Sequence, residues 1–383
     1  MNLGIDASTA GSGGARRHLI EILNCFEPTK HGFSRILIWG HKDLLDNIPS
    51  SDNIIKHSHP FLNKGLFHKI LWQLFYRDSG FKDNIDVLFS PFGTYIGNFR
   101  PYVTMSRNML VFDKAEQKKF GFSWYRLKFI LLFYIQRSSF RNSQGLIFIS
   151  NYAKEYITKH VNYNLIKTQV IHHGISKFFK KKPSLQKEIK MYDTDNPFIL
   201  LYVSTVFNYK NQINVVEAFI RLRNKGIPVV LNLIGGVGEK KIGKELGRKI
   251  VEVNSNKKLI TWVKGVELKK VVDYYHSSDL FIFASTCENM PNILIEAMAS
   301  GLPIACSSSR PMPEFLENAG LYFNPENIDE IEETLEKMIK DPQLRESSSK
   351  SSFSISNKYS WENCADKTFD FLKSLKNKKN VKK

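Results

Sequence analysis

Ser285-Thr286-Cys287-Glu288-Asn289-Met290-Pro291-Asn292-Ile293-Leu294-Ile295-Glu296-Ala297-Met298-Ala299-Ser300-Gly301-Leu302-Pro303 decides the reading of this chain. An apolar run, Leu280-Phe281-Ile282-Phe283-Ala284, leads into it as a strand. Pro291 and Asn292 open a helix and Gly301 closes it. Glu288 in the loop and Glu296 in the helix stand eight positions apart. At about 1.5 Å per residue, Asn292 to Glu296 covers roughly 6 Å, so one carboxylate faces the helix mouth and the other lies about a turn deeper. The positive helix end between them suits a phosphate. A ligand with a hydroxylated group at each end and a diphosphate between, such as a nucleotide sugar, matches this layout.

Working outward, the 383 residues exceed one ordinary core and predict two domains. With 42% apolar and 24% charged residues the chain is globular rather than disordered. A formal charge of +18 points to an anionic partner: nucleic acid, anionic lipid or a phosphorylated ligand. Cys25, Cys287, Cys306 and Cys364 form no CxxC pair, which fits a reducing compartment. His57, His59, His172 and His173 lack zinc-site spacing, and no metal is expected. The N-terminus does not read as a signal peptide, and runs such as Phe129–Ile135 are too short to span a bilayer. A cytoplasmic protein, soluble or peripheral, is expected.

From the N-terminus, Leu3–Asp6 reads as a strand, followed by a glycine-rich turn with Gly11, Gly13 and Gly14, then a helix from Ala15. Such a turn cradles a phosphate or is simply tight; the spacing is not G-x-G-x-x-G. Strands are predicted at 34–39, 84–90, 101–105, 144–150 and 168–171. Later ones follow at 198–203, 229–234, 259–263, 280–284 and 303–306. Helices at 151–159, 213–225 and 271–277 alternate with them, and others are capped by Asn327 and Ser360. This alternation predicts two doubly wound parallel sheets of Rossmann type, whose ligands collect beyond the carboxyl ends of the strands. Gly13-Gly14 and Arg107-Asn108 fall at such ends.

Leu66–Arg77 and Phe120–Arg141 are aromatic and basic. Each reads either as a helix on an anionic membrane or as one packed on the sheet with its charges in water. The tail 376–383 is basic.

Glu288-x7-Glu296 with Ala297–Pro303 resembles the signature of retaining GT-B glycosyltransferases, the glycosyl transferases group 1 family. Leu201–Asn211, with Lys210, is similar to that family's first C-domain strand and its donor-phosphate lysine. Val170–Ile175, Leu233–Gly236 and Tyr359–Glu362 resemble further family segments, in order. The resemblance implies an N-terminal acceptor-side domain (1–172), a linker (173–197) and a donor domain (198–358). A helix (359–375) would cross back to the first domain, the two facing a cleft. Glu288 would hold donor sugar hydroxyls, Asn289, Met290, Pro291 and Asn292 would contact sugar and phosphate, and Glu296 would take the ribose. Lys210 would neutralise the departing diphosphate with help from Gly13 and Gly14. Where the family commonly has an arginine, Ser204-Thr205 stands, leaving Thr205 as a neutral donor. Where it often has a histidine, Ser106-Arg107-Asn108 stands, so Arg107 or Asn108 would touch the sugar.

The implied activity is metal-independent, retaining transfer from a UDP- or GDP-sugar to a lipid-linked or polysaccharide acceptor, without a cofactor. It would take place in the cytoplasm, at the inner face of the membrane. A sugar-nucleotide epimerase of the same architecture would need further acids and bases in the cleft. A nucleic-acid-binding protein would account for the charge, but no recognisable module is present.

Overall fold

The computed structural model describes residues 1–11, 13–76, 85–161, 166–255 and 257–375. Ser12 of the glycine-rich turn, Arg77 of the first aromatic segment, Asn84 and the basic tail 376–383 lie outside the described residues.

The chain divides into two compact units. The first comprises residues 1–112, 123–174 and 359–383. Its strands are β1 (Asn2–Ala7), β2 (Arg35–Gly40), β3 (Ile54–His57), β4 (Val87–Ser90), β5 (Tyr102–Ser106), β6 (Gly145–Phe148) and β7 (Lys167–Val170). They form one parallel sheet in the order β3-β2-β1-β4-β5-β6-β7. Ile5, Ile38, Phe89, Val103 and Ile147 are fully buried. A strand covered on both faces needs no polar alternation, so these read as continuous apolar runs.

The second unit comprises residues 113–122 and 175–358. Its strands are β8 (Phe198–Val203), β9 (Val229–Ile234), β10 (Ile260–Val263), β11 (Leu280–Phe283), β12 (Ile304–Ser307) and β13 (Leu321–Phe323). They run parallel in the order β10-β9-β8-β11-β12-β13. Both sheets therefore reverse their winding beside their first strand, between β1 and β4 and between β8 and β11. At such a switch point the loops leaving two neighbouring strands diverge and open a crevice.

Two doubly wound parallel sheets are what the alternating pattern predicts. The closing helix Trp361–Lys373 belongs to the first unit, where Trp361 stacks on His173 with ring centroids 5.8 Å apart. Several elements exceed the sequence reading: β3, β13 and the helices Lys240–Val253 and Pro342–Ser356. The segment Leu66–Arg77 contains a short helix, Leu66–Leu71, continued by a π-helical turn, Trp72–Tyr76. The second aromatic segment is a 19-residue helix, Trp124–Asn142, started by Ser123, whose side chain accepts from the Arg126 amide.

Candidate active site

The opening stretch folds as read: β11, a loop, then the helix Asn292–Ala299. Every residue of that helix from Leu294 to Ala299 is buried. Burying Leu294, Ile295 and Met298 is worth roughly 1.5–3 kcal/mol each. A helix buried on all sides carries no amphipathic stripe, so its site function rests on its ends. Its first turn carries neither a side-chain cap nor an acidic residue, leaving the positive end uncompensated by the protein's own charges there. At the far end Gly301 has φ +66°, and a Cβ there would sit 2.6 Å from the Lys181 carbonyl oxygen. Only glycine combines that conformation with that approach.

Lys210 arrives from the neighbouring switch-point strand. After β8 the chain forms a 3-10 turn, Asn208–Lys210, closed by Asn211 in the left-handed region (φ 51°). Asparagine tolerates this conformation, and its side chain donates to the Ala284 carbonyl (2.9 Å). The Thr286 amide and hydroxyl both donate to the Tyr209 carbonyl, at 2.9 and 3.2 Å. These bonds clamp the β8 loop to the β11 loop. Held this way, the Lys210 ammonium pairs with the Glu288 carboxylate. The lysine Nζ also lies 5.2 and 5.4 Å from the Tyr209 and Phe283 ring centroids. Lys210 and Glu288 side chains retain only 8% and 16% exposure, so each charge depends heavily on the other.

One turn into the helix, Glu296 is buried and its Oε2 accepts from the Tyr275 hydroxyl (3.3 Å). The same hydroxyl donates to the Ile293 carbonyl (3.2 Å). Neither nearby thiol is a nucleophile: burial pushes Cys287 and Cys306 well above the ordinary thiol range, and the Glu288 charge adds to it. The Tyr209 phenol is likewise held protonated, by burial first and Glu288 second. Asn289, Met290 and Pro291 are buried in the loop, and Asn292 is half-buried at the helix start. Thr205 is exposed beyond β8, and its carbonyl accepts from the Gln212 side chain (3.2 Å).

In the first unit, Gly13 (φ 82°) starts the helix Gly14–Asn24 beyond β1, and a Cβ there would meet nothing within 4 Å. The Arg107 guanidinium, from the end of β5, donates to the Gly14 carbonyl (3.2 Å). Asn108 turns its side chain inward, accepting from the Leu110 amide (3.0 Å). The sequence-derived residues thus form two sets, one per unit: Gly13, Gly14, Arg107 and Asn108 in one, Thr205, Lys210, Glu288–Asn292 and Glu296 in the other. Among the described residues, no three His, Cys, Asp or Glu side chains gather as metal ligands.

Tyr275 and Asn211 escaped the sequence reading. Asn211 was the more accessible, since an asparagine just after a strand-end lysine is a candidate for a left-handed turn. Tyr275 lies on a different helix, Leu268–Ser277, and only the tertiary fold brings it to Glu296.

Residues 182–354 match the family model "Glycosyl transferases group 1". Over 101 residues (26% of either chain) the sequence is 30% identical to an O-antigen chain mannosyltransferase B of Escherichia coli. Over 267 residues it is 25% identical to the capsular polysaccharide biosynthesis glycosyltransferase CapM of Staphylococcus aureus, covering 66% of this chain and 68% of that one. Across the first curated relatives it matches, the chain spans only 26% to 59% of their lengths. In fold, it superposes on Anabaena Alr3699/HepE, solved with UDP and glucose, with TM-score 0.70 at 18% identity, covering 98% of this chain and all of the other. The architecture is GT-B, and residues 182–354, which lie within the second unit, are similar to the glycosyl transferases group 1 family.

Proposed function

We propose that this protein transfers a sugar from a UDP- or GDP-sugar to a lipid-linked or polysaccharide acceptor of a surface glycan, with retention of anomeric configuration and without a metal or cofactor. The observation that carries the reading is the Lys210–Glu288 pair at the β8/β11 switch point, beside an uncapped helix start.

The chemistry asks for little more. The bond between the anomeric carbon and the diphosphate oxygen breaks, and the acceptor oxygen bonds to that carbon. The acceptor proton passes to the leaving phosphate. Negative charge grows on the diphosphate and positive charge on the ring. Lys210 and the start of the helix Asn292–Ala299 offset the first, and Glu288 the second. Preorganised groups of this kind are commonly worth about 3–4 kcal/mol each in the transition state. Glu296 binds the ribose hydroxyls, and Asn289, Met290, Pro291 and Asn292 line sugar and phosphate. Thr205 supplies a neutral donor to the diphosphate. On the first unit, Gly13 and Gly14 approach phosphate, and Arg107 or Asn108 meets the transferred sugar.

The work takes place in the cytoplasm, at the inner face of the membrane, where an acceptor of this type is anchored. Exposed Trp124, Leu127, Leu131 and Tyr134 on a helix with basic neighbours support contact with an anionic bilayer. Among the described residues no helix is long and apolar enough to cross one.

The test is product stereochemistry. Nuclear magnetic resonance of the transferred sugar is expected to show the donor's anomeric configuration, at a rate unaffected by EDTA. Inversion, or a rate abolished by chelation and restored by a divalent cation, would overturn the retaining or metal-free part respectively.

A further inference from the structure

The helix Trp124–Asn142 turns an unusual face to solvent. Its buried side is a narrow seam of Phe129, Gln136, Ser139 and Phe140. On the other side, at spacings of three and four, run Trp124, Leu127, Leu131, Tyr134, Ser138 and Arg141. The first four are 75, 56, 60 and 62% exposed. This outer seam changes character along its length: apolar over the first three turns, polar and basic over the last two.

Beside those last turns lie two adjoining cavities of about 400 and 560 Å³, which share Tyr134, Ser138 and Asn142. Arg137 and Arg141 line one, and Arg100 lines the other. Arg100 is held in place: its Nη1 donates to the Gly97 and Phe99 carbonyls (3.0 and 2.8 Å), and its guanidinium lies 4.6 Å over the Tyr102 ring. The Nε of Arg137 is buried without a hydrogen-bond partner. None of the three pairs with a carboxylate among the described residues. The sequence says why: between Glu116 and Glu155 there is no acidic residue and there are seven basic ones, and none is acidic between Asp86 and Asp113.

The groove is separate from the residues assigned above. Arg141 and Asn142 end the helix that leads, two residues later, into β6, and Tyr102 begins β5, so the groove lies at the amino ends of these strands. Gly13 and Arg107 stand at the carboxyl ends of β1 and β5.

We infer that this groove binds the phosphate of an anionic phospholipid headgroup while the bilayer covers the apolar seam. Guanidinium groups present paired donors to phosphate oxygens, and three without carboxylates leave a net positive pocket. Tyr134 stands where seam meets groove, the position of an amphipathic ring at a membrane interface. A free phosphate would satisfy the arginines and leave Trp124, Leu127 and Leu131 in water. The continuity of seam and groove selects the lipid. This inference deepens the membrane contact proposed above and does not depend on the donor chemistry.

Sedimentation of the full-length protein with vesicles tests it, comparing phosphatidylcholine alone with phosphatidylcholine plus phosphatidylglycerol. The wild type is expected to pellet with the anionic vesicles at low salt. The Arg137→Ala/Arg141→Ala variant is expected to lose on the order of thirty-fold in partition. Leu127→Asp/Leu131→Asp is expected to abolish pelleting. Both variants should keep the wild-type melting temperature and nucleotide-sugar binding. Pelleting of the arginine variant like the wild type, or equal pelleting of the wild type on neutral vesicles, overturns the headgroup site. If inorganic phosphate raises the wild-type melting temperature but not that of the arginine variant, and neither protein pellets, the groove takes free phosphate and the lipid assignment falls. Loss of donor binding in the wild type with vesicle binding intact would sink the donor reading and leave the groove standing.

Discussion

Lys210 and Glu288 stand 78 positions apart in the chain and form an ion pair where β8 and β11 lie side by side. Because both are largely buried, removing either partner strands the other's charge. Lys210→Met and Glu288→Gln should therefore each destabilise the protein. The double variant should cost less than the sum of the two, with a coupling of about 0.5–3 kcal/mol. Urea denaturation of the four proteins measures it, and strict additivity would mean that the pair does not form in solution.

Glu296 and Tyr275 make a second, deeper pairing. If Glu296 holds the ribose, Tyr275→Phe leaves the carboxylate in place but less well oriented. A rise in donor KM of about three- to tenfold with kcat little changed is expected, the mark of a contact kept equally in ground and transition state. Glu296→Ala should act in the same direction and more strongly. A fall in kcat with constant KM would move Glu296 from binding to chemistry.

His18 gives the first unit a pH dependence. Its ring is fully buried, 4.7 Å from that of His173, and neither of its nitrogens has a hydrogen-bond partner. Burial first, then the charges of Arg107 and His173, lower its pKa well below 6.5. The folded protein then resists a proton that the unfolded chain accepts. Stability contributed by neutral His18 is complete above pH 6.5 and declines as pH falls below it, by at most about 1.4 kcal/mol per pH unit. His18→Leu should flatten the stability profile over that window. Denaturant midpoints at stepped pH report the difference, and parallel profiles would show that His18 titrates normally.

Gly301 closes the helix Asn292–Ala299. In Gly301→Ala the methyl group would meet the Lys181 carbonyl and the Pro183 backbone at a positive φ. A loss of about 2 kcal/mol or more in folding stability is expected, read as a lowered melting temperature. An unchanged melting temperature would mean that the helix ends differently.

The most legible part of the sequence was the part where local chemistry and tertiary role coincide. The apolar run of β11, the proline at the helix start and Gly301 at its end are each local signals. The spacing from Glu288 to Glu296 follows from them. Strand β3 was missed because three of its four residues are half-exposed, and β13 because it is three residues long. The helix Pro342–Ser356 escaped for a different reason: its buried face is serine rather than leucine. Ser348, Ser349, Ser352 and Ser356 are all buried. Ser348 donates to the Ala319 carbonyl (2.7 Å) and Ser352 to that of Leu302 (3.4 Å). A polar face that satisfies itself against backbone shows no hydrophobic period. Nor does a local pattern reveal that residues 113–122 join the second unit, where buried Glu116 pairs with Lys119 (2.8 Å) and Lys119 in turn with Glu326 (2.6 Å). The clamp of Asn211 on Ala284 and the bond from Tyr275 to Glu296 link distant segments in the same way.

Turnover of a panel of UDP- and GDP-sugars, followed by mass spectrometry, tests the assignment of the donor site most directly. Wild-type protein should hydrolyse or transfer the sugar of one of them, and Lys210→Ala and Glu288→Ala should each be slower by about 10²–10³. Equal turnover by wild type and both variants, or a wild type that neither binds nor consumes any nucleotide sugar, would contradict it.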